Sequence, residues 1–260
     1  MIVTVDDALD PRLNAFRWRE RQLTTIAQRK SALNEGLFIA EGDLVVHRAL
    51  EAGCIPEVVL CDPKCAAEFS DAVHDSGGTT LVASADIRRE VTGLGVPLDA
   101  IGVFKRPPLV SSEDLIARST RLIVLDCVDN PSNVGSIART AAALGWDGLL
   151  LDSTSSDPLS RRALRVSMGT TFKLGFARFA CTNEILSQLH ESGFTTIGLT
   201  PHHESREVSN LRSIQLEGKR ALVLGSERQG LSEASLDQCT QLANISMADG
   251  VDSLNVASAS

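Results

Sequence analysis

Short apolar runs, closed by glycine or proline and separated by segments of helical spacing, recur along most of this 260-residue chain. A run of four or five apolar residues suits a strand covered on both faces, and strands alternating with helices indicate an α/β fold. Residues 36–42 read as a short strand ending in a turn. Asp43 is placed to cap a helix through Leu44, Val45, Val46, His47, Ala49 and Leu50, which Gly53 stops. Further strands are expected at 58–60, 79–82 and 101–104, with a helix at 64–76 stopped by Gly77-Gly78. This first part is therefore expected to be a small α/β sandwich. Lys105-Arg106-Pro107-Pro108 breaks the pattern, and residues 111–119 suit a helix leading out of the break. We place one domain at 1–108, a linker at 109–118 and a second domain at 119–260.

The second domain alternates again. Strands are expected at 122–125, 148–151, 195–199 and 221–224, and helices at 134–144, 160–167 and 182–190. In the first of these helices Ile137, Ala138, Ala141 and Ala142 face inward and Gly145 ends it. At the C-terminus, residues 245–247 read as the end of a buried strand and 248–252 as a polar loop containing Gly250. A helix begins at Ser253, its expected N-cap, with Leu254, Val256 and Ala257 packed.

Composition narrows the setting. The chain is 43% hydrophobic, enough for a packed core, yet no apolar run reaches the roughly 18 residues that span a bilayer. The N-terminal residues lack the basic and apolar segments of a signal peptide, so a cytoplasmic protein without membrane association is expected. Six scattered cysteines form no Cys-x-x-Cys pair, so they read as reduced thiols, and no metal site is expected. His202-His203 has no evident third ligand nearby and reads as part of a loop. The net charge of −8 argues mildly against non-specific nucleic-acid binding, but a local basic face remains compatible with it.

One segment is such a face. Arg12, Arg17, Arg19, Arg21, Arg29 and Lys30 are opposed only by Glu20, with Phe16 and Trp18 interleaved. Phe16, Leu23 and Ile26 fall at roughly helical spacing. Two readings are open: arginines on RNA phosphates with an aromatic stacking on a base, or a solvated amphipathic helix with Trp18 partly buried.

Three loops follow buried strands. The first runs from Asp129 to Thr140, where a helix N-terminus, Gly135 and Arg139 together suit a phosphate group. Asn130 and Asn133 suit either turns or ligand orientation. The second runs from Gly225 to Ser232 with glycines around Glu227, a residue that taken alone reads as a helix cap. The third is the C-terminal loop. Gly-x-Gly-x-x-Gly follows none of the strands, so an ordinary dinucleotide site is not supported.

Together these loops resemble the three motifs of the SpoU (TrmH-like) RNA ribose 2′-O-methyltransferases of the SPOUT superfamily. The residues that carry the resemblance are Asn133-x-Gly135-x-x-x-Arg139, Gly225-x-Glu227-x-x-Gly230-Leu231, and Ile245-x-Met247 with Gly250 and Ser253-Leu254-Asn255-Val256. Residues 12–46 also look like the RNA-binding domain, similar to a small ribosomal protein, that precedes the catalytic domain in many members.

The resemblance implies a C-terminal α/β trefoil-knot (SPOUT) domain preceded by that small α/β sandwich RNA-binding domain. It implies S-adenosylmethionine held at Leu199, Thr200, Leu224, Gly225, Ile245, Met247 and Leu254, and a homodimer with its active site near the interface. The implied catalytic set is Asn133, Arg139, Glu227, Ser253 and Asn255. RNA contacts are expected from Arg12, Arg17, Trp18, Arg19, Arg21 and Arg165. The implied reaction is in-line attack of a ribose 2′-hydroxyl on the sulfonium methyl, with ribosomal RNA ahead of transfer RNA as substrate; a catalytically inactive RNA-binding protein is the alternative from another class. The arginine is often assigned as general base in this family. A guanidinium holds its proton so tightly that clamping phosphate and stabilising a developing alkoxide is the role we favour.

Two departures from the family pattern stand out. Ser246 replaces a common proline, which is expected to loosen the strand end modestly. The chain also stops at Ser260, a turn or two into a helix that usually continues. Either that tail is absent or the chain is shortened, and cofactor affinity and dimer stability depend on which.

Overall fold

The computed structural model describes residues 2–30, 35–215, 217–248 and 254–260. The chain divides into two compact units, Met1–Leu109 with Leu159–Phe172, and Val110–Pro158 with Lys173–Ser260.

The first unit contains β1 (Ile2–Thr4), β2 (Leu37–Glu41), β3 (Pro56–Cys61), β4 (Thr79–Val82) and β5 (Ala100–Lys105), in the sheet order β1-β4-β3-β5-β2. β1, β4 and β3 run parallel, while β5 is antiparallel to both β3 and β2. Leu13, Phe16, Ile39, Leu60, Leu81 and Ile101 share one core. The expected amphipathic helix around Phe16 is instead three short helices, Asn14–Arg17, Glu20–Leu23 and Ile26–Lys30. Phe16 and Leu23 are buried, but Ile26 is exposed, so the helical spacing linking them was fortuitous. Gly42, at φ 100°, caps the helix Asp43–Glu51 in place of Asp43. A helix at Ala85–Thr92, capped by Ser84, is added to the expected elements.

The largest departure from the sequence-based division is the segment Leu159–Phe172, which packs with the first unit. Its helix, Arg161–Ser167, lies against β2. Phe172 meets the ring of Phe38, which stacks on Phe104 with centroids 5.4 Å apart. Glu41, whose side chain is 2% exposed, accepts from Arg161 at 3.3 Å and pairs with Arg165. The Arg161 guanidinium also donates to the carbonyls of Phe16 (2.9 Å) and Trp18 (2.6 Å). A buried carboxylate is tolerated only when paired and hydrogen-bonded, and this segment supplies both guanidiniums.

The second unit is a seven-stranded sheet, parallel throughout, in the order β10-β12-β9-β11-β6-β7-β8. Its strands are β6 (Arg121–Leu125), β7 (Gly148–Leu151), β8 (Gly175–Arg178), β9 (Phe194–Leu199), β10 (Val208–Asn210), β11 (Lys219–Leu224) and β12 (Gln241–Asn244). Side chains alternate between its faces. Leu122, Val124, Ala221 and Val223 enter one apolar layer, and Ile123, Leu125, Leu222 and Leu224 the other. The helix Ser112–Arg118 places Leu115 and Ile116 in the first of these layers, so most of the expected linker is part of the core. β12 ends at Asn244, so residues 245–247, expected to be the end of this strand, lie beyond it.

Buried carboxylates fix the strand ends. Asp126, just past β6, accepts from the Ser232 amide (2.8 Å) and the Ser235 hydroxyl (2.6 Å). Asp152, just past β7, accepts from the amides of Cys127, Thr154 and Ser155 and from the hydroxyls of Thr154 and Ser155. It thereby holds Cys127 at φ 60°, a conformation uncommon outside glycine. Burial raises the Asp152 carboxyl, but hydrogen bonds led by those from Ser155 and Thr154 outweigh it and leave the group below the usual carboxylate range. Asp147 is likewise lowered: burial opposes this, and bonds from Thr120 and Arg121 prevail. All six cysteines are free, three buried and three half-buried, and burial pushes Cys239 up to about 12. Among the described residues, no helix is long and apolar enough to cross a membrane, and no group of acidic, His and Cys side chains could hold a metal ion.

Glu41→Gln should lower the unfolding free energy by roughly 2–4 kcal/mol, because it leaves two guanidiniums without their charge partner; a urea-denaturation shift below about 1 kcal/mol would contradict this. For Asp152 and Asp147 the folded-state affinity for protons is below the unfolded one. Their contribution is therefore complete above the ordinary aspartate value of about 4 and is lost as pH falls through the lowered folded values. The urea midpoint should drop in that acid window, and Asp152→Asn should make the drop shallower.

Candidate functional site

Because the strands of the second unit are parallel, the loops leaving β6, β9, β11 and β12 emerge at one edge of the sheet. Four elements build a cleft of about 440 Å³ there: the ends of β9, β11 and β12, and the C-terminal segment. Leu199, Thr200, Leu224, Gly225, Ile245, Met247 and Leu254, the expected cofactor residues, all line it. Its apolar wall includes Leu224, Leu231 and Ile245, while Thr200, Ser226, Glu227 and Asn244 provide polar groups.

The loop after β11 is a small hairpin. Ser226 and Gly230 exchange backbone hydrogen bonds of 2.9 and 3.0 Å, which puts Glu227, Arg228 and Gln229 at the tip. A Cβ on Gly225 would lie 2.2 Å from the backbone of Gly230, so only glycine allows this turn to close. Glu227 caps no helix. The next helix, Glu233–Gln238, is capped by Ser232.

The loop after β6 leads into the helix Pro131–Ala143, which begins earlier than the apolar pattern suggested. Pro131 occupies the first turn, and the Asn130 side chain accepts from the Ser132 amide. Asn133 is buried in that first turn. At the other end of the chain, Asn255 caps Val256–Ala259 by accepting from the Ala257 amide at 2.9 Å. Ser253, the expected cap and a candidate catalytic residue, lies outside the described residues, as does Gly250. The Asn255 side-chain amide donates to Asn133 Oδ1 at 3.2 Å and to Glu227 Oε1. Three candidate catalytic residues from three loops are thus joined through one amide. Val256 is buried with Val134 and Ile137, which fixes the C-terminal helix on the helix Pro131–Ala143. Arg139 on that helix is exposed, and its side chain bonds no described residue.

The candidate RNA-binding side chains lie in the first unit and differ in availability. Arg12 is paired with Asp10 (Nε–Oδ1 2.9 Å), and that bond holds the Asp10 carboxyl down to about 2. Arg17 donates to the Ala8 carbonyl at 2.6 Å, and Arg165 is engaged by Glu41. Phe16 is fully buried and cannot stack on a base. Trp18 is 36% exposed; Arg19 and Arg21 are exposed, with side chains that bond no described residue. Sequence reasoning passed over Asp126 and Arg228. For Asp126 the signal was present, since an acid closing an apolar run commonly meets the amides of the next turn. The Ser246 hydroxyl accepts from Asn210 Nδ2 at 2.5 Å, an anchor where the family commonly has proline.

The sequence profile of the SpoU rRNA Methylase family matches residues 120–260. An uncharacterised tRNA/rRNA methyltransferase of Mycobacterium bovis is 35% identical over 256 residues, covering 98% of this chain and 88% of the relative. Among solved structures, an AdoMet-bound rRNA methyltransferase from Sinorhizobium meliloti superposes with a TM-score of 0.82 at 24% identity, over 99% of this chain and 94% of that one. The SpoU methyltransferase AviRb from Streptomyces viridochromogenes, solved with AdoMet, gives 0.73 at 24% identity, over 96% and 94%. These two likenesses show a shared α/β fold, and the profile and the mycobacterial relative show the lineage: this chain belongs to the SpoU family of RNA methyltransferases.

Proposed function

We propose that the protein transfers a methyl group from S-adenosylmethionine to a ribose 2′-hydroxyl of RNA, with ribosomal RNA ahead of transfer RNA as substrate. The observation that carries this reading is the meeting of Asn133, Glu227 and Asn255 beside a cleft formed at the ends of parallel strands. The residues suit the cofactor. A cleft of about 440 Å³ falls in the usual range for small ligands. Its leucine and isoleucine wall suits a purine. When bound, the cofactor supplies an electrophilic methyl on a sulfonium. The chain supplies position: Asn255 ties Glu227 to Asn133 and so fixes the polar side of the site relative to the cleft. Arg139, free of internal partners among the described residues, is the group we assign to an RNA phosphate and to the developing alkoxide.

In the same proposal, the first unit recognises RNA through Arg19, Arg21 and Trp18, with Arg12 and Arg17 contributing if they exchange their internal partners for phosphate. The second unit forms a trefoil knot, supported by the return of the C-terminal helix onto the helix Pro131–Ala143. The working form is a cytoplasmic homodimer, which sedimentation of the full chain tests.

The direct test incubates the protein and labelled cofactor with total ribosomal and transfer RNA, then maps the nucleotide that resists alkaline cleavage. No label in either pool, with cofactor binding intact, would reject the reading. Arg139→Ala should reduce transfer by about 100-fold or more while cofactor affinity stays within a few-fold, and Arg139→Lys should also fail where bidentate geometry is needed. Loss of cofactor binding by folded Arg139→Ala would overturn the role given to this residue.

Replacing Arg19 and Arg21 with alanine should weaken RNA binding and flatten its log–log salt dependence by about 0.7–0.9 for each phosphate no longer neutralised. Trp18→Ala should leave the slope unchanged while costing about 1–3 kcal/mol, as expected when a base loses its stacking platform. An unchanged double-arginine variant would leave this face merely solvated.

A further inference from the structure

Arg228 is the only lysine or arginine among the described residues that line the cleft. It stands at the tip of the hairpin whose base is fixed by the paired backbone bonds of Ser226 and Gly230. Gln229 is tied back to the Ser226 hydroxyl at 3.1 Å, so the backbone presenting Arg228 is held on both sides. Its neighbour Glu227 is engaged by Asn255. Arg228 itself is exposed and forms no hydrogen bond or ion pair with a described residue. A permanent cation without an internal partner, set at the edge of a mostly apolar cleft, is suited to an anionic group on whatever fills that cleft.

We propose that Arg228 binds the carboxylate at the amino-acid end of the cofactor. This rests on the cofactor reading above. The cofactor carries two positive centres, the sulfonium and the ammonium, and one negative centre, the carboxylate. An arginine is repelled by the first two and matches the third in a two-point hydrogen-bonded pair. Arg228 thereby orients the flexible amino-acid tail, while the apolar wall holds the nucleoside.

The test is calorimetry on the full chain with two ligands, S-adenosylhomocysteine, which keeps the amino-acid end, and methylthioadenosine, which lacks it. Arg228→Gln should lose about tenfold in affinity for the first and bind the second as the parent does. Equal losses for both ligands would mean that Arg228 only shapes the hairpin. No loss for either would remove the assignment. In that case a flatter salt dependence of RNA binding in the same variant would transfer Arg228 to an RNA phosphate. If the parent binds neither ligand, the cofactor reading itself fails, and the assignment fails with it. Methylthioadenosine binding by the variant also serves as the check that the cleft is intact.

Discussion

Parallel pairing in the second unit is the constraint on which the site depends. In an antiparallel sheet, successive loops leave at opposite edges. Here β6, β9, β11 and β12 all point the same way, so loops separated by a hundred residues of sequence meet at one edge. The alternation of Leu122 and Val124 with Ile123 and Leu125 between two apolar layers keeps both faces covered. It also fixes register, because a slip of one residue would exchange the layers.

Convergence alone does not hold polar loops in place, and the buried carboxylates supply that. Asp126 binds the start of the segment Ser232–Ser235, and Asp152 binds the turn at Cys127. Asp126 satisfies one amide and one hydroxyl and Asp152 three amides and two hydroxyls, and polar groups buried without partners are the costly case. Asn255 performs the corresponding task at the site, with one amide serving both Asn133 and Glu227. The loops at this edge are therefore held by polar groups that bind one another.

Much of this was legible in the sequence because the signals are local. Gly148–Leu151 is a short apolar run after a loop, and it forms β7 as expected. Of the seven residues proposed for the cofactor, six line one cleft because they lie at or shortly beyond a strand end; Leu254 reaches it from the C-terminal segment ahead of the helix Val256–Ala259. What escaped has a physical reason. β8 and β10 lie at the two edges of the sheet, where partial exposure allows polar residues and erases the apolar run. The start of the helix Pro131–Ala143 was hidden because proline suits both loops and first helical turns. Phe16 and Trp18 look equivalent in sequence, and only tertiary packing buries one and exposes the other. Nothing local announces that Arg161 and Arg165 belong with Glu41.

That last pairing has a consequence for how the chain is made. Arg161 lies 120 residues after Glu41 in sequence. During synthesis from the N-terminus, β1 through β5 emerge complete while the Glu41 carboxylate still lacks both guanidiniums and Phe38 still lacks Phe172. When its own strands are finished, the first unit still lacks the segment that packs on β2. That segment leaves the ribosome only after β6, β7 and the connecting helix. Pairing across so long a stretch of chain slows the completion of the first unit. In such a chain, an mRNA truncated between the codons for residues 109 and 159 encodes β1 through β5 but not the guanidiniums that pair with the buried Glu41.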